Sequence, residues 1–306
     1  MSFFLVFVAS DIRPSHLAQI EGLLDDCHIR FSTKPKCLNP QRAYEIRVED
    51  KPLPDQWEKL KELLAPDRID VFVTSSENRR KKMMIADMDA TIVTTETLDE
   101  LAEHAGLKDK ISAITKRAMA GELDFEAALN ERVGMLKDLS NDVLHKTLEE
   151  TQLSEGADIL VKTMSYYGAT CVLVSGGFTF FTKVIADRAG FHFNHGNVLH
   201  IENDALTGKV TPPILGKEAK LQYLNEYAAK KGISASDVFA IGDGANDLPM
   251  LEAAGLGVGY YPKPLVLERL DNNILYSDLT AALYIQGYTA EEINKALNSL
   301  APQKVH

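Results

Sequence analysis

Two aspartates, Asp87 and Asp89, are separated by a single residue in the segment IADMDAT, at the end of a short apolar run that begins at Met83. An ionised carboxylate can attack an electrophile, while a neighbouring carboxyl in its acid form can protonate a leaving group. Two carboxylates this close repel each other unless a cation binds with them, and oxygen ligands favour a hard ion such as Mg²⁺. The pair alone is weak evidence of a catalytic site, because acidic pairs at strand ends also cap helices or lie in turns.

A second acidic segment, IGDGANDLPM, strengthens the case for a metal site. Asp243 and Asp247 flank small residues on a predicted strand-to-helix turn, so this loop can approach another strand end and present its carboxylates and Asn246 to an ion. A calcium loop of the EF-hand type is excluded, because Ala245 occupies the third position of that pattern and its twelfth position is not a glutamate.

Two further segments have the chemistry to hold an anion. The segment SGGF, which starts with Ser175 and Gly176, precedes a predicted helix. Its hydroxyl and backbone N–H groups can therefore bind a phosphoryl group at the helix N-terminus. The alternative is that this segment is a simple turn. Lys220 falls on the predicted helix before the IGDGAND strand, where its charge can neutralise phosphoryl oxygens. The alternative for Lys220 is an ordinary solvent-facing position.

The elements that must position these residues begin at Met83. Short continuous apolar runs are each followed by a polar turn and a helix, a pattern typical of strands buried on both faces of a parallel sheet. Ligands bind such sheets at the carboxyl ends of the strands, which is where the polar segments fall. About 80 residues after the first run have no strand pattern and predict a helical insertion at about 95–152, which can cover the site as a lid. The runs are Met83–Ala86, Ala169–Val174, Val238–Ile241, Gly255–Val258 and, more weakly, Ile274–Tyr276.

Residues 1–75 predict a separate small domain. Strands at 3–8, near 29–31, at 43–48 and at 69–74, with helices at about 14–24 and 55–64, give the order β-α-β-β-α-β of a ferredoxin-like fold. This arrangement is common in domains that sense amino acids or dimerise, so a regulatory role is weighed against a plain stabilising or dimerising one. Serine binding or dimerisation is the expectation for these residues.

Composition narrows the class of protein. The 306 residues carry a net charge of −11, which disfavours binding to nucleic acid or to an anionic membrane surface. The basic cluster NRRKK at 78–82 is interpreted as a solvated linker. Three cysteines without metal-binding spacing, no export signal and no membrane-length apolar stretch predict a soluble, cytoplasmic protein.

The motifs together resemble the haloacid dehalogenase superfamily of phosphotransferases, whose DxDx[TV], Ser/Thr, Lys and acidic-pair motifs occur here in order. Within it, DMDATIVTTETLDELA, ITKRAMAGELDFEAALNERV, VSGGFTFFT and AIGDGANDLPML are similar to the phosphoserine phosphatase family. The resemblance covers roughly residues 83–277. It implies a doubly wound, Rossmann-like parallel sheet with an inserted helical cap in a domain spanning 76–306, preceded by an ACT-like α+β domain at 1–75.

The resemblance also implies a covalent mechanism and a role for each motif residue. Asp87 would form an aspartyl-phosphate, and Asp89 would protonate the departing serine oxygen and then activate water. Mg²⁺ would be held by Asp87, the backbone carbonyl of Asp89 and Asp243, with Asp247 nearby. The residues implied to hold phosphoryl oxygens are Ser175, Gly176 and Lys220.

Substrate selection would depend on the cap. Glu96 would bind the substrate ammonium group and Arg132 its carboxylate, with Phe125 and Asn246 completing the pocket. Without the resemblance, Glu96 is explained as a favourable acid at a helix start and Arg132 as a surface ion pair. One departure is Ala90, where the family usually has serine, so the backbone is expected to matter more than the side chain there.

The leading interpretation is a Mg²⁺-dependent phosphatase that hydrolyses O-phosphoserine, the last step of serine biosynthesis. The alternative is a phosphatase or phosphotransferase for another small phosphomonoester, such as phosphothreonine or phosphohomoserine. A third hypothesis, an amino-acid-binding regulator with a silent phosphatase fold, is disfavoured because every charged residue of the motifs is present.

Overall fold

The computed structural model describes residues 2–119, 122–216 and 218–300, and contains one four-stranded and one seven-stranded sheet. The first sheet is antiparallel, with strand order β2-β3-β1-β4, and two helices pack on one face. This is the predicted ferredoxin-like arrangement. Its elements are β1 (Phe3–Val8), α1 (Pro14–Asp26), β2 (Lys36–Asn39), β3 (Ala43–Val48), α2 (Pro54–Leu64) and β4 (Asp70–Ser75).

The prediction of a strand near 29–31 was wrong. Phe31 forms only an isolated bridge with Val48, and the edge strand is β2, a few residues later. Ile29 is buried and packs with the helices from a loop, which explains its apolar character without a strand. Strand β2 escaped prediction because it is a short edge strand in which only Leu38 is buried.

The other face of the small sheet is buried against the rest of the chain. Leu5 and Phe7 of β1 point into the core beneath α1 and α2, whereas Val6 and Val8 alternate onto the opposite face and join the large central core. Phe72 of β4 is also fully buried on that second face. Helix α12 (Ala281–Ile285) contacts β1 and β4 there. The sheet is therefore covered on both faces.

The basic cluster at 78–82 is a structural junction, so its interpretation as a solvated linker was wrong. Arg79 is paired with Glu45 of β3 at 2.6 Å and donates to the carbonyl of Ile285. Lys81 is 7% exposed and donates to the carbonyl of Ser236. The neighbouring cations are paired as well, Arg80 with Glu292 and Lys82 with Asp237.

The larger sheet has the order β11-β10-β9-β5-β6-β7-β8, with β5 near its centre. All neighbours pair in parallel except β7 and β8, which form an antiparallel hairpin at one edge. The predicted parallel α/β sheet is confirmed, and the hairpin was missed. The strands are β5 (Met83–Ala86), β6 (Thr170–Phe178), β7 (Phe193–Glu202), β8 (Ala205–Thr211), β9 (Val238–Gly242), β10 (Leu256–Tyr260) and β11 (Asn273–Ile274).

The insertion after β5, called the cap below for residues 95–152, is helical in its described part. It contains α3 (Thr97–His104), α4 (Lys108–Met119), α5 (Phe125–Gly134) and α6 (Asp142–Glu150). The segment between α5 and α6 pairs with β8, since the N–H of Asp138 donates to the carbonyl of Leu206 and that of Leu206 to the carbonyl of Leu139. The missed hairpin thus joins the cap to the sheet.

Helices on both faces of the sheet complete the chain. They are α7 (Ala157–Tyr166), α8 (Thr179–Ala189), α9 (Ala219–Lys231), α10 (Leu248–Ala253), α11 (Pro264–Arg269), α12 and α13 (Ala290–Leu300). Among the described residues, no helix has the length and apolar character needed to span a bilayer.

Candidate active site

Three neighbouring strands bring the sequence-predicted residues together. Strand β5 pairs in parallel with β6 on one side and with β9 on the other, so their carboxyl ends meet at one edge of the sheet. Asp87 follows β5, Ser175 lies near the end of β6, and Asp243 follows β9. Carboxylate oxygens of Asp87, Asp243 and Asp247 all lie within 4.8 Å of one another, and all three residues are buried. The strand-end rule therefore located this cluster correctly.

Lys220 lies inside the cluster and not on the solvent-facing side of its helix. Its Nζ is 2.7 Å from Oδ1 of Asp87 and 2.5 Å from Oδ1 of Asp247, and the residue is 4% exposed. Burial would lower the pKa of Lys220, but Asp247 and Asp87 raise it above its usual value. Burial and the charge of Asp247 raise the pKa of Asp87, and Lys220 opposes that shift. One ammonium group thus pairs with two of the three buried carboxylates.

The turn after β9 holds Asp247 tightly. Its Oδ2 accepts the N–H groups of Asp243 and Gly244 at 3.1 and 3.0 Å. A Cβ atom at Gly242 would lie 2.4 Å from Cγ of Asp247, so only glycine allows this approach. Burial raises the pKa of Asp243, and the ammonium group of Lys263 3.0 Å away opposes the shift.

Asp89 is oriented by three hydrogen bonds. Its Oδ1 accepts the hydroxyl and the N–H of Thr97 at 2.6 and 2.8 Å, and its Oδ2 accepts the hydroxyl of Ser175 at 2.8 Å. The Ser175 hydroxyl in turn accepts the N–H of Gly177. A fixed carboxyl beside a fixed hydroxyl, both next to Asp87, can exchange a proton with a group bound between them.

Ala90 contributes through its backbone. Its φ of 51° and ψ of 11° lie in the left-handed region, which is unfavourable for a residue with a Cβ atom. Its N–H donates to the carbonyl of Thr95 at 3.1 Å, which closes the loop between Asp89 and the cap. The expected importance of the main chain at this position agrees with this geometry.

The cap closes over the cluster. The ring of Phe125 lies 3.2 Å from the position that a Cβ atom of Gly176 would occupy. Phe125, Gly176, Ser175, Lys220 and Asn246 line a cavity of only about 10 Å³, which is about the space of one water molecule. Any ligand larger than water therefore needs movement of the lining residues to enter this cavity. A larger cleft of about 620 Å³ lies elsewhere, between α2 and α11, and contains none of these residues.

The two predicted substrate-binding charges lie on the cap side of the site. Glu96 is the N-cap residue of α3, and its Oε1 accepts a hydrogen bond from Lys263 at 3.2 Å. Arg132 is half-buried on α5, and the only hydrogen bond of its side chain within the described chain is from Nε to the carbonyl of Ala128. Burial lowers the pKa of Arg132, and Asp99 and Glu96 oppose that shift. Arg132 does not line the small cavity beneath Phe125.

Sequence reasoning missed three residues of the site. Thr97 holds Asp89, and Asn197 of β7 donates to the carbonyl of Gly176 at 2.8 Å. Lys263 pairs with both Glu96 and Asp243. A signal for Lys263 was present, because it follows the end of β10 by three residues and the strand-end rule applies to that strand as well.

The donor set suits a hard divalent cation. Asp87, Asp243 and Asp247 offer carboxylate oxygens, and within the described part of the chain they pair with two ammonium groups, the buried one of Lys220 and the half-exposed one of Lys263. Histidine and cysteine ligands, which favour softer ions, are not part of the cluster. Oxygen-only ligation by three carboxylates that pair with two ammonium groups favours a hard divalent cation.

Comparison with known proteins agrees with this geometry. A family model described as haloacid dehalogenase-like hydrolase matches residues 84–252. A phosphoserine phosphatase from Archaeoglobus fulgidus is 40% identical over 71% of this chain. The match covers 63% of that relative, so the chain spans less than two thirds of its length.

Two solved structures share the architecture. A structure described as a HAD family hydrolase, from Salmonella enterica serovar Typhi, has a TM-score of 0.85 and 29% identity, and the match covers 94% of this chain and 98% of the other. A phosphoserine phosphatase solved as a phospho-aspartyl intermediate analogue has a TM-score of 0.62 and 36% identity, with 67% and 98% covered. The matched motifs, the sheet and the buried acidic cluster lead to one conclusion: the chain belongs to the haloacid dehalogenase-like hydrolase family.

Proposed function

We propose that this protein is a Mg²⁺-dependent phosphoserine phosphatase that releases serine and phosphate, the last step of serine biosynthesis. The observation that carries the proposal is the buried contact of Lys220 with Asp87, next to a carboxyl and a hydroxyl that already share a hydrogen bond. The names of the relative from A. fulgidus and of the phospho-aspartyl structure support the same substrate and intermediate.

In the first step, a carboxylate oxygen of Asp87 forms a bond to phosphorus, and the bond from phosphorus to the serine oxygen breaks. Asp89 donates its proton to that oxygen, so serine leaves as a neutral alcohol. Lys220 and the hydroxyl of Ser175, with the main chain at Gly176, hold the phosphoryl oxygens as charge moves between them. Asp87, Asp243 and the carbonyl of Asp89 would hold Mg²⁺, which would neutralise phosphoryl charge.

In the second step, water attacks the aspartyl-phosphate. Asp89, now ionised, takes a proton from the water while the water oxygen bonds to phosphorus. The bond from phosphorus to Asp87 breaks at the same time. Free phosphate and the original carboxylate result. Closure of the cap serves the first step, because Phe125 over Gly176 keeps bulk solvent away while the phosphoryl group is transferred to Asp87.

The proposal assigns substrate recognition to the cap. Glu96 binds the ammonium group of phosphoserine, and Arg132 binds its carboxylate through two parallel hydrogen bonds. Arg132 suits this role because its half-buried guanidinium group makes no ion pair in the described chain. Asn246 lines the cavity next to Lys220 and Ser175, where the phosphoryl group is expected.

Replacing Arg132 with lysine is expected to lower kcat/KM for O-phosphoserine by roughly tenfold to a hundredfold. An ammonium group keeps the charge but loses the paired donors, and hydrogen bonds to charged groups contribute about 1.5–3 kcal/mol. The same change should leave kcat/KM for O-phosphoethanolamine, which has no carboxylate, within about twofold. Steady-state kinetics with both substrates measure the difference.

Arg117→Lys is the matched control, since Arg117 is exposed on α4 and pairs with Glu131 on the cap surface. It should leave both substrates unaffected. A parallel loss of kcat/KM for both substrates in Arg132→Lys would contradict the carboxylate assignment and indicate a disturbed cap.

A substrate panel tests the function itself. Phosphate release from O-phosphoserine should exceed that from O-phosphothreonine and O-phosphohomoserine, and EDTA should abolish it. Faster release from another member of the panel would instead support the alternative, a phosphatase for a different small phosphomonoester. Lack of turnover for every member at saturating Mg²⁺ would favour a silent, amino-acid-binding regulator.

For residues 1–75 we propose serine binding or dimerisation. Their sheet face is occupied by the rest of the chain, so a second copy would have to meet the helices or the short edge strand β2. Light scattering measures the oligomeric state, and hydrolysis rates with and without L-serine measure its effect on activity. The proposal fails if the protein is monomeric and L-serine changes neither the oligomeric state nor the rate. We also propose a cytoplasmic location, in keeping with the three unpaired cysteines.

A further inference from the structure

Lys263 is held rigidly at the point where the cap meets the sheet. It precedes α11 and lies between Pro262 and Pro264, which restrict its backbone, and its N–H donates to the carbonyl of Asp243 at 2.8 Å. Only the flexible four-carbon side chain of Lys263 is therefore free to move.

The ammonium group of Lys263 contacts both the cap and the acidic cluster below the cap. It lies 3.2 Å from Oε1 of Glu96, on the cap, and 3.0 Å from Oδ2 of Asp243, below it. Partial burial would lower the pKa of Lys263, but the carboxylates of Glu96 and Asp243 raise it, so the group stays charged. Within the described residues, this is the only ion pair between the cap and the remainder of the protein.

The pair with Glu96 is easily replaced. The side chains of Lys263 and Glu96 are 52% and 49% exposed, and ion pairs between exposed groups contribute little to stability. The ammonium group of an amino-acid substrate offers the same three N–H donors and the same charge as Lys263. Both cations therefore compete for one carboxylate.

We infer that Lys263 occupies the ammonium subsite of the free enzyme, fastens the cap through Glu96, and is displaced from Glu96 by the substrate ammonium group. This inference rests on the proposed function, since it takes Glu96 as the ammonium ligand. Lys263 is thus a positioning residue: it holds the cap in the free enzyme, and only a substrate that carries an ammonium group replaces its contact with Glu96 by an equivalent one.

Steady-state kinetics of Lys263→Gln at saturating Mg²⁺ test the displacement. Without its competitor, O-phosphoserine should bind more tightly, and its KM should fall by about two- to fivefold, the range expected for loss of an exposed ion pair. The deaminated analogue of O-phosphoserine, a phosphorylated hydroxypropanoate, has the same carbon skeleton but no ammonium group, and its KM should stay unchanged or rise. Lys263→Arg keeps a cation at this position and should retain the KM values of the unaltered protein.

Hydrogen exchange supplies a readout that does not depend on turnover. In the substrate-free protein, backbone amides of α3 should exchange about two- to fivefold faster in Lys263→Gln than in the unaltered protein, because the cap has lost its ion pair. Lys82→Gln is the matched control, since Lys82 is an exposed lysine with one carboxylate partner, Asp237, away from the cap. It should change neither exchange in α3 nor KM.

The outcomes separate the two proposals. If O-phosphoserine is turned over but Lys263→Gln raises the KM of both substrates in parallel, Lys263 binds an anionic group and the displacement is wrong while the proposed function stands. Unchanged exchange in α3 would contradict the fastening role. If the unaltered protein does not turn over O-phosphoserine, the proposed function fails, and faster exchange in α3 would still support the fastening role of Lys263.

Discussion

Replacing Asp87 with asparagine is expected to lower kcat for phosphate release by roughly 10⁴-fold or more, the scale seen when a catalytic nucleophile is removed. The amide has nearly the shape of the carboxylate but cannot form the aspartyl-phosphate. Lys220 keeps its contact with Asp247, so no buried cation is left unpaired. Rapid-quench measurements should find an acyl phosphate in the unaltered protein and none in the variant.

Asp70→Asn is the matched control for loss of a buried carboxylate. Asp70 is 3% exposed and accepts the N–H groups of Leu275, Tyr276 and Ser277, far from the acidic cluster. This change should weaken the contact between the small sheet and the rest of the chain and lower stability, while kcat stays within about threefold. Retention of more than a tenth of kcat in Asp87→Asn would show that Asp87 is not the nucleophile.

Replacing Phe72 with alanine is expected to lower the free energy of unfolding by about 3–5 kcal/mol. Phe72 is fully buried on the face of the small sheet that packs against the central core, so truncation leaves a cavity between the small sheet and that core. Because typical domains have only about 5–15 kcal/mol of stability, this loss is a large share of the total. Urea unfolding followed by fluorescence and by activity measures it.

The control is Leu53→Ala, a change at a 60% exposed residue next to α2, which should alter the free energy of unfolding by less than about 0.5 kcal/mol. Equal free energies of unfolding for the two variants would mean that the stability of the small sheet does not depend on the central core. Separate unfolding transitions in the unaltered protein would also indicate that the small sheet unfolds independently of the core.

The main features of the larger sheet and its site were predictable because both follow local rules. Continuous apolar runs identified parallel strands, and polar residues at their ends identified Asp87, Ser175 and Asp243 as neighbours. The hairpin β7–β8 escaped because most residues of β7 are partly or fully exposed, so it lacks the apolar run of a central strand. The edge strand β2 escaped for a similar reason.

Contacts between distant segments were not predictable from local patterns. The helical position of Lys220 by itself allowed both a phosphoryl-binding and a solvent-facing role, since most helical lysines are exposed, and only the neighbouring strand ends make its burial favourable. Lys263 lies in a short proline-flanked turn, and its meeting with Glu96 depends on how the cap folds back. The apolar run FFLVFV did contain a signal that β1 is buried on both faces, as continuous runs indicate.

The double-sided burial of β1 also constrains the order in which this protein folds during synthesis. Leu5 and Phe7 meet their partners in α1 and α2 early, but Val6 and Val8 face a core that includes α12, about 270 residues later in the chain. The nascent small domain therefore presents an apolar sheet face until residues 281–285 have left the ribosome. Such a face is a site for aggregation or chaperone binding throughout translation.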